Sequence, residues 1–363
     1  MMIWNGQVRG RARVGAAVCV LGMACGVMRA ADAPLKSPWD LKLVKVSGDA
    51  YRCPTLAAMP KDIVASDFYS DAKKSIIDPK RQAAYEQAHA IFLQVSDETE
   101  KAADNFQKTG SGAAGACVMS ILEVQAQAGA MTGSMSSNQA NYVQNWTIGG
   151  LAIAYLKVRG AGPALGASPE QTAMVQAWMR KVGTQVEVYF EARREKKTTD
   201  GQNNHLYWAG FAVMATGIAA DDRKLYEWGV STFEDGVKQI QPDGTLPLEM
   251  NRGQKALHYH LFALAPLVTM AELGEANGQD FYSFDHNMLH MAVSRAMAGL
   301  VDNRYFATKA GTAQDTPEGG KIKADDVIWV TPYVRRFPDA GISTLLNQGG
   351  SKPYGYLGGM PPS

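Results

Sequence analysis

Gln202-Asn203-Asn204-His205-Leu206-Tyr207-Trp208 runs without a break into Ala209-Gly210-Phe211-Ala212-Val213-Met214-Ala215-Thr216-Gly217-Ile218-Ala219. Polar and aromatic groups come first, and an almost wholly apolar run follows. The residues ahead of them, Arg193 to Asp200, are polar and basic. This switch predicts a loop that becomes a buried helix. Asn203 or Asn204 is the natural N-cap, its side-chain oxygen taking an orphan backbone N–H. Alone, the stretch reads as a capped core helix with a satisfied histidine.

A second stretch repeats the design. Glu249-Met250-Asn251-Arg252-Gly253-Gln254-Lys255-Ala256-Leu257-His258-Tyr259-His260 puts a loop with an arginine ahead of the apolar run Leu261 to Leu273. On a helix, Arg252 and Tyr259 share one face, whereas His258 and His260 point to different sides. The His-x-His pair is therefore a poor metal site, and no Cys/His cluster of metal spacing occurs elsewhere. The sequence calls for no metal and no cofactor. Jointly the two stretches place Asn, His, Arg and Tyr near two helix starts. Such a set can neutralise a carboxylate and abstract a nearby proton.

Outward from these stretches, helical patterns follow one another. They cover Pro79 to Phe106, Cys117 to Gly129, Asn138 to Val158, 169–192, 205–220, 223–241, 253–277 and 283–301. Ala84, Ala88, Ile91, Phe92 and Val95 carry the helical period in the first. Most connections are short, and Gln241-Pro242-Asp243-Gly244 is a turn. Strand alternation is scarce, with one short strand expected within Ile322 to Val334. Residues 305–323 and 347–363 read as irregular. Successive antiparallel helices with short loops are helical hairpins packed on their neighbours. The number of helices exceeds a simple bundle. The predicted fold is all-α, an incomplete α/α toroid with a cleft lined by loops at one end. A helical solenoid is the runner-up, but no fixed sequence period is present.

The chain has 363 residues, 46% of them hydrophobic, enough for a large core. Residues 1–30 read as a signal peptide: Arg9, Arg11 and Arg13 precede the apolar run Val14 to Met28, and Ala30, Ala31 and Ala33 suit cleavage. Residues 31–363 are then a single exported domain. Removing the leader takes away four arginines and no acids, so the formal charge falls from +1 to −3. A slightly negative protein is not a nucleic-acid binder by bulk field. A polyanion would need cations gathered in one cleft, and Arg193, Arg194, Lys196 and Lys197 are one candidate gathering. No membrane-length span is evident after the leader, so no membrane insertion of the mature form is expected. Cys53 and Cys117 remain in the mature chain, and in an oxidising compartment they read as one disulfide pinning the N-terminal arm to a helix start.

Asn203-Asn204-His205-Leu206-Tyr207-Trp208, followed by Arg252-Gly253-Gln254-Lys255-Ala256-Leu257-His258-Tyr259-His260 and Ala263-Leu264-Ala265-Pro266-Leu267, resembles the alginate lyases of polysaccharide lyase family 5. Tyr69-Ser70-Asp71 with Ser75 and Asp78-Pro79 looks like that family's lid loop, here residues 63–79. Cys53 and Cys117 fall where the family has its paired cysteines. The resemblance implies an α/α barrel, a periplasmic location and cleavage of polymannuronate by β-elimination, with polyglucuronate a second candidate substrate. It implies catalytic roles for Asn204, His205, Arg252 and Tyr259. In the lid, Lys73 and Lys74 follow Ala72, where relatives carry a lysine near the aromatic. His258 stands where some members have a small residue, and both Lys73 and His258 are expected to bind substrate.

Elimination removes the C5 proton beside a carboxylate, so donors that neutralise the carboxylate stabilise the developing charge. Asn204 and Arg252 are assigned to this, with His205 assisting. Tyr259 is the base, and a cation such as Arg252 beside it favours the phenolate. Tyr69, Trp146 and Trp208 are expected to stack on sugar faces. A toroidal glycosidase needs two carboxylates, and the two stretches hold only Glu249. A non-catalytic uronan-binding or export protein with the same fold is the alternative.

Overall fold

The computed structural model describes residues 33–362 apart from 73 and 75. The expected signal peptide and Lys73 lie outside the described residues. Long helices dominate: α1 (Pro79–Thr109), α2 (Gly112–Ala128), α3 (Asn138–Arg159), α4 (Pro169–Glu195), α5 (Asn204–Ala220), α6 (Arg223–Lys238), α7 (Ala256–Glu275) and α8 (Phe284–Val301).

Side-chain oxygens just ahead of several helices set their starts. Asp78, Ser111, Ser137, Ser168, Asn203 and Asp222 each accept a backbone N–H of the first turn. Asn203, and not Asn204, is the cap of α5, accepting from the His205 N–H at 3.0 Å. Pro79 and Pro169 open their helices at a position whose N–H has no helical partner anyway.

The helices divide by burial. α3, α5 and α7 are buried along nearly their whole length. α1, α4 and α6 bury one stripe and leave the opposite face in water. The two kinds alternate from α3 to α7. Inner helices line the centre and outer helices return around them, which is the expected α/α toroid. α5 packs on α3, α4, α6 and α7. Two glycines allow its closest approach to α6. A Cβ at Gly210 would lie 2.4 Å from Thr232 Cγ2, and one at Gly217 2.6 Å from the Tyr226 backbone nitrogen. Any larger residue forces the helices apart.

Ile322 to Val334 is not a strand. It forms the short helical turns Ala324–Val327, Ile328–Val330 and Thr331–Arg336, which bury Val327, Ile328, Trp329, Val330 and Tyr333. Among the described residues, extended pairing is confined to isolated bridges. The segment expected to be irregular at 305–323 begins with the helix Arg304–Ala310, anchored by fully buried Phe306. Among the described residues, one segment, Gly253–Glu275, is long and apolar enough to cross a membrane, but it lies mostly buried inside the protein, as a core helix does. Cys53 and Cys117 form a disulfide that ties the extended arm to α2.

Candidate active site

The starts of α5 and α7 lie at the same end of two packed inner helices. Asn204 occupies the first turn of α5, where backbone N–H groups have no helical acceptor. Glu249, in the short helix Pro247–Met250, fills that need. It accepts the Asn204 backbone N–H at 2.8 Å and the Asn204 Nδ2 at 2.9 Å. Both residues are fully buried. Burial raises the Glu249 pKa to about 7, opposed by the two Asn204 donors and by the Arg252 charge. Asn204 Oδ1 is buried with no partner among the described residues.

His205 stacks on Tyr142 with ring centroids 3.9 Å apart. The Tyr142 hydroxyl donates to Asp200 at 2.7 Å, and Arg193 pairs with the same carboxylate at 2.6 Å. This layer fixes the imidazole plane from behind. Burial, helped by the Arg252 charge, pushes the His205 pKa down to about 3, so the ring is neutral across the ordinary pH range. Its Nδ1 is enclosed and has no hydrogen-bond partner among the described residues.

Tyr259 lies one turn into α7, 7% exposed. The Arg252 guanidinium carbon sits 3.3 Å from the centre of its ring. The Tyr259 hydroxyl meets the Tyr69 hydroxyl at 2.8 Å. Burial holds the Tyr259 pKa well above the ordinary tyrosine value; Arg252 pulls it down and Tyr69 pushes it up. The expected help from Arg252 is thus present, but burial outweighs it. His258 packs edge-on to Tyr259 at 5.1 Å, and burial drops its pKa to about 4. His260, two residues on, faces the core: its Nε2 accepts the Leu246 N–H at 2.8 Å, so Nδ1 carries the hydrogen and donates to the Ala256 carbonyl.

The 63–79 loop covers this group. Tyr69 is half-buried over Tyr259, and Arg252 Nη2 donates to the Lys74 carbonyl at 2.8 Å. Asp71 accepts the Ile76 N–H, and Arg81 donates to the Tyr69 carbonyl, so the loop is held at both ends of its turn. Phe68 links Tyr69 to Tyr85 of α1, with centroids 4.6 and 5.0 Å apart.

Asn204, His205, Arg252, Tyr259, Tyr69 and His258 therefore gather at one place. The two tryptophans do not offer open faces. Trp208 is 0% exposed, one helical turn deeper than Asn204, and is enclosed by Phe211, Phe262, Tyr354 and Tyr356. It is a core residue with no face left for a sugar, contrary to the expectation from sequence. Trp146 is 7% exposed, with Tyr356 stacked on it at 5.0 Å, so its ring is already covered by the C-terminal segment. Within the basic run, Arg193 pairs with Asp200 and Arg194 with Asp235, while Lys196 and Lys197 are exposed. Glu249, Tyr142 and Asp200 escaped the sequence reading as site residues. Among the described residues, no group of His, Cys, Asp and Glu side chains has the grouping of a metal site.

Residues 62–306 match the model of the alginate lyase family. A polysaccharide lyase of Stenotrophomonas maltophilia strain K279a is 35% identical over 310 residues, 85% of this chain and 88% of that protein. An alginate lyase of Azotobacter vinelandii is 30% identical over 326 residues, 87% of this chain and 85% of that protein. The crystal structure of alginate lyase A1-III from Sphingomonas species A1 superposes with a TM-score of 0.71 at 20% identity, covering 91% of this chain and 96% of that one.

Proposed function

The chain belongs to the alginate lyase family, and we propose that it cleaves 4-O-linked polyuronate, polymannuronate foremost and polyglucuronate second, by syn β-elimination that leaves 4,5-unsaturated uronate ends. The observation that carries this reading is the meeting of Tyr259, Arg252, Asn204 and neutral His205 beneath one loop. A relative solved with a bound tetrasaccharide has the same fold, with a TM-score of 0.73.

In this reading Arg252 and Asn204 bind the uronate carboxylate and disperse the charge that develops on it. Arg252 brings cationic charge to the site, whereas His205 stays neutral and serves as an uncharged hydrogen-bonding group. Tyr259 takes the C5 proton as the phenolate, the minor form that Arg252 favours against burial, its own proton having gone to solvent before the step. The C–H pair becomes the C4–C5 double bond, the C4–O bond breaks, and the departing oxygen receives a proton from Tyr259. In β-mannuronate and β-glucuronate the C5 hydrogen and the C4 oxygen lie on the same side of the ring, so one phenol serves both steps. In guluronate they lie on opposite sides, and a single phenol cannot reach both. Substrate entry parts Tyr69 from Tyr259 and draws the Lys74 carbonyl off Arg252, and the 63–79 loop then closes on the polymer and excludes water. The chain acts in the periplasm after removal of its signal peptide, where its partner is the anionic polysaccharide.

The test is a panel of mannuronan, guluronan, glucuronan and hyaluronan, followed by the ultraviolet absorbance of the unsaturated end. Mannuronan should give the fastest rise. New reducing ends without that absorbance would mean hydrolysis and overturn the reading.

A further inference from the structure

Glu249 holds Asn204 more tightly than a helix cap requires. One carboxyl oxygen on the backbone N–H would satisfy the first turn of α5, and the negative charge suits that positive helix end. The second oxygen instead takes the Asn204 side chain through Nδ2. An amide nitrogen has two hydrogens. One is committed to Glu249, which leaves the second hydrogen and Oδ1. Oδ1 is buried with no partner among the described residues. Buried acceptors are as a rule paired, so an unpaired one at this helix start calls for a donor from outside the chain.

Resting on the lyase reading, we propose that Glu249 is a positioning residue for the elimination. It locks the plane of the Asn204 amide so that the remaining N–H meets the uronate carboxylate and Oδ1 accepts from a hydroxyl of the same sugar. A uronate ring supplies both partners. Glu249 itself touches no substrate and acts only through Asn204.

The test is a double-mutant cycle on mannuronan with Asn204→Ala, Glu249→Gln and the pair, reading kcat/KM and Tm. Glutamine keeps the volume but turns one of the two accepting oxygens into an NH2 donor, which would face one of the Asn204 donors. Glu249→Gln should lower kcat/KM by roughly tenfold to a hundredfold, the loss typical of a hydrogen bond to a charged group, with Tm near the parent's. In the Asn204→Ala background the same change should have less than about a twofold further effect, because the group it positions is gone. Losses that multiply, or a Glu249→Gln enzyme as active as the parent, overturn the proposal. If Glu249→Gln melts markedly lower, Glu249→Asp, which keeps the charge but shortens the reach, is put through the same cycle. A loss that vanishes in the Asn204→Ala background then supports the positioning role, and losses that multiply overturn it. An active parent with a neutral Glu249 change refutes the positioning role alone. A parent that yields no unsaturated product refutes the lyase reading and the positioning role with it.

Discussion

Replacing Arg252 by alanine removes two contacts in one step. The guanidinium leaves the face of Tyr259, 3.3 Å away, and releases the Lys74 carbonyl of the covering loop, 2.8 Å away. It also removes the cation proposed to neutralise the substrate carboxylate. Loss of one such donor typically costs about 10²–10³ in kcat, or roughly 3–4 kcal/mol. The tether to the loop lies near the surface, where solvent screens it, so its loss should raise KM only a few-fold. The third effect is on the phenol. Arg252 opposes the burial that raises the Tyr259 pKa. Without it, the phenol titrates higher still, and because parent and variant both work well below that titration, this added deficit should be the same at every pH of the assay. Arg252→Lys keeps the charge but loses the flat fork that lies on the ring, and should fall between the two. The assay is the initial rate of unsaturated-product formation on mannuronan between pH 6 and 10. An Arg252→Ala enzyme within about tenfold of the parent kcat across that range would refute the assignment.

Three further outcomes follow from the geometry. Tyr69→Phe removes only the hydroxyl bonded to Tyr259 and keeps the ring on Phe68; kcat/KM should fall roughly two- to tenfold while the melting temperature holds, and a large stability loss with full activity would make Tyr69 a core residue. The unreduced mature protein, without residues 1–30 and their Cys19 and Cys25, should titrate no free thiol under denaturing conditions, and Cys53→Ser should cost up to about 4 kcal/mol of unfolding free energy, because the bridge spans a separation of 64 residues. His260 should stay neutral in an NMR titration down to about pH 4. Its folded pKa lies below the unfolded value of about 6.5, so its stabilising effect is complete above that pH and is lost as pH falls toward 4; His260→Gln should flatten the stability curve in that window.

The inner helices were legible because burial on every side leaves a strong trace: from Leu206 to Ala220 the chain offers almost no polar side chain. The positions of Asn204, His205, Arg252 and Tyr259 at two helix starts were legible for a related reason, since polar groups abruptly precede each apolar run. What failed was depth. Trp208 follows His205 closely in sequence, yet a helix advances about 1.5 Å per residue, and one turn suffices to carry a ring from cleft to core. The β-branched residues of Ile322 to Val334 mimic a strand, but their partners lie in the core beside α7, and helical turns bury them better. The supporting layer left no local trace at all. Glu249 reaches Asn204 across 45 residues and Tyr142 reaches Asp200 across 58, so only the fold reveals what either one does.

Turnover of Tyr259→Phe on polymannuronate, against the parent at matched pH, tests the central claim most directly. Phenylalanine keeps the ring beneath Arg252 and deletes only the hydroxyl that meets Tyr69. If that phenol both takes the C5 proton and returns one to the leaving oxygen, kcat should fall by at least about 10²–10⁴, with substrate binding little changed. Retention of most of the parent turnover would contradict the account and move the base to another group, His205 first.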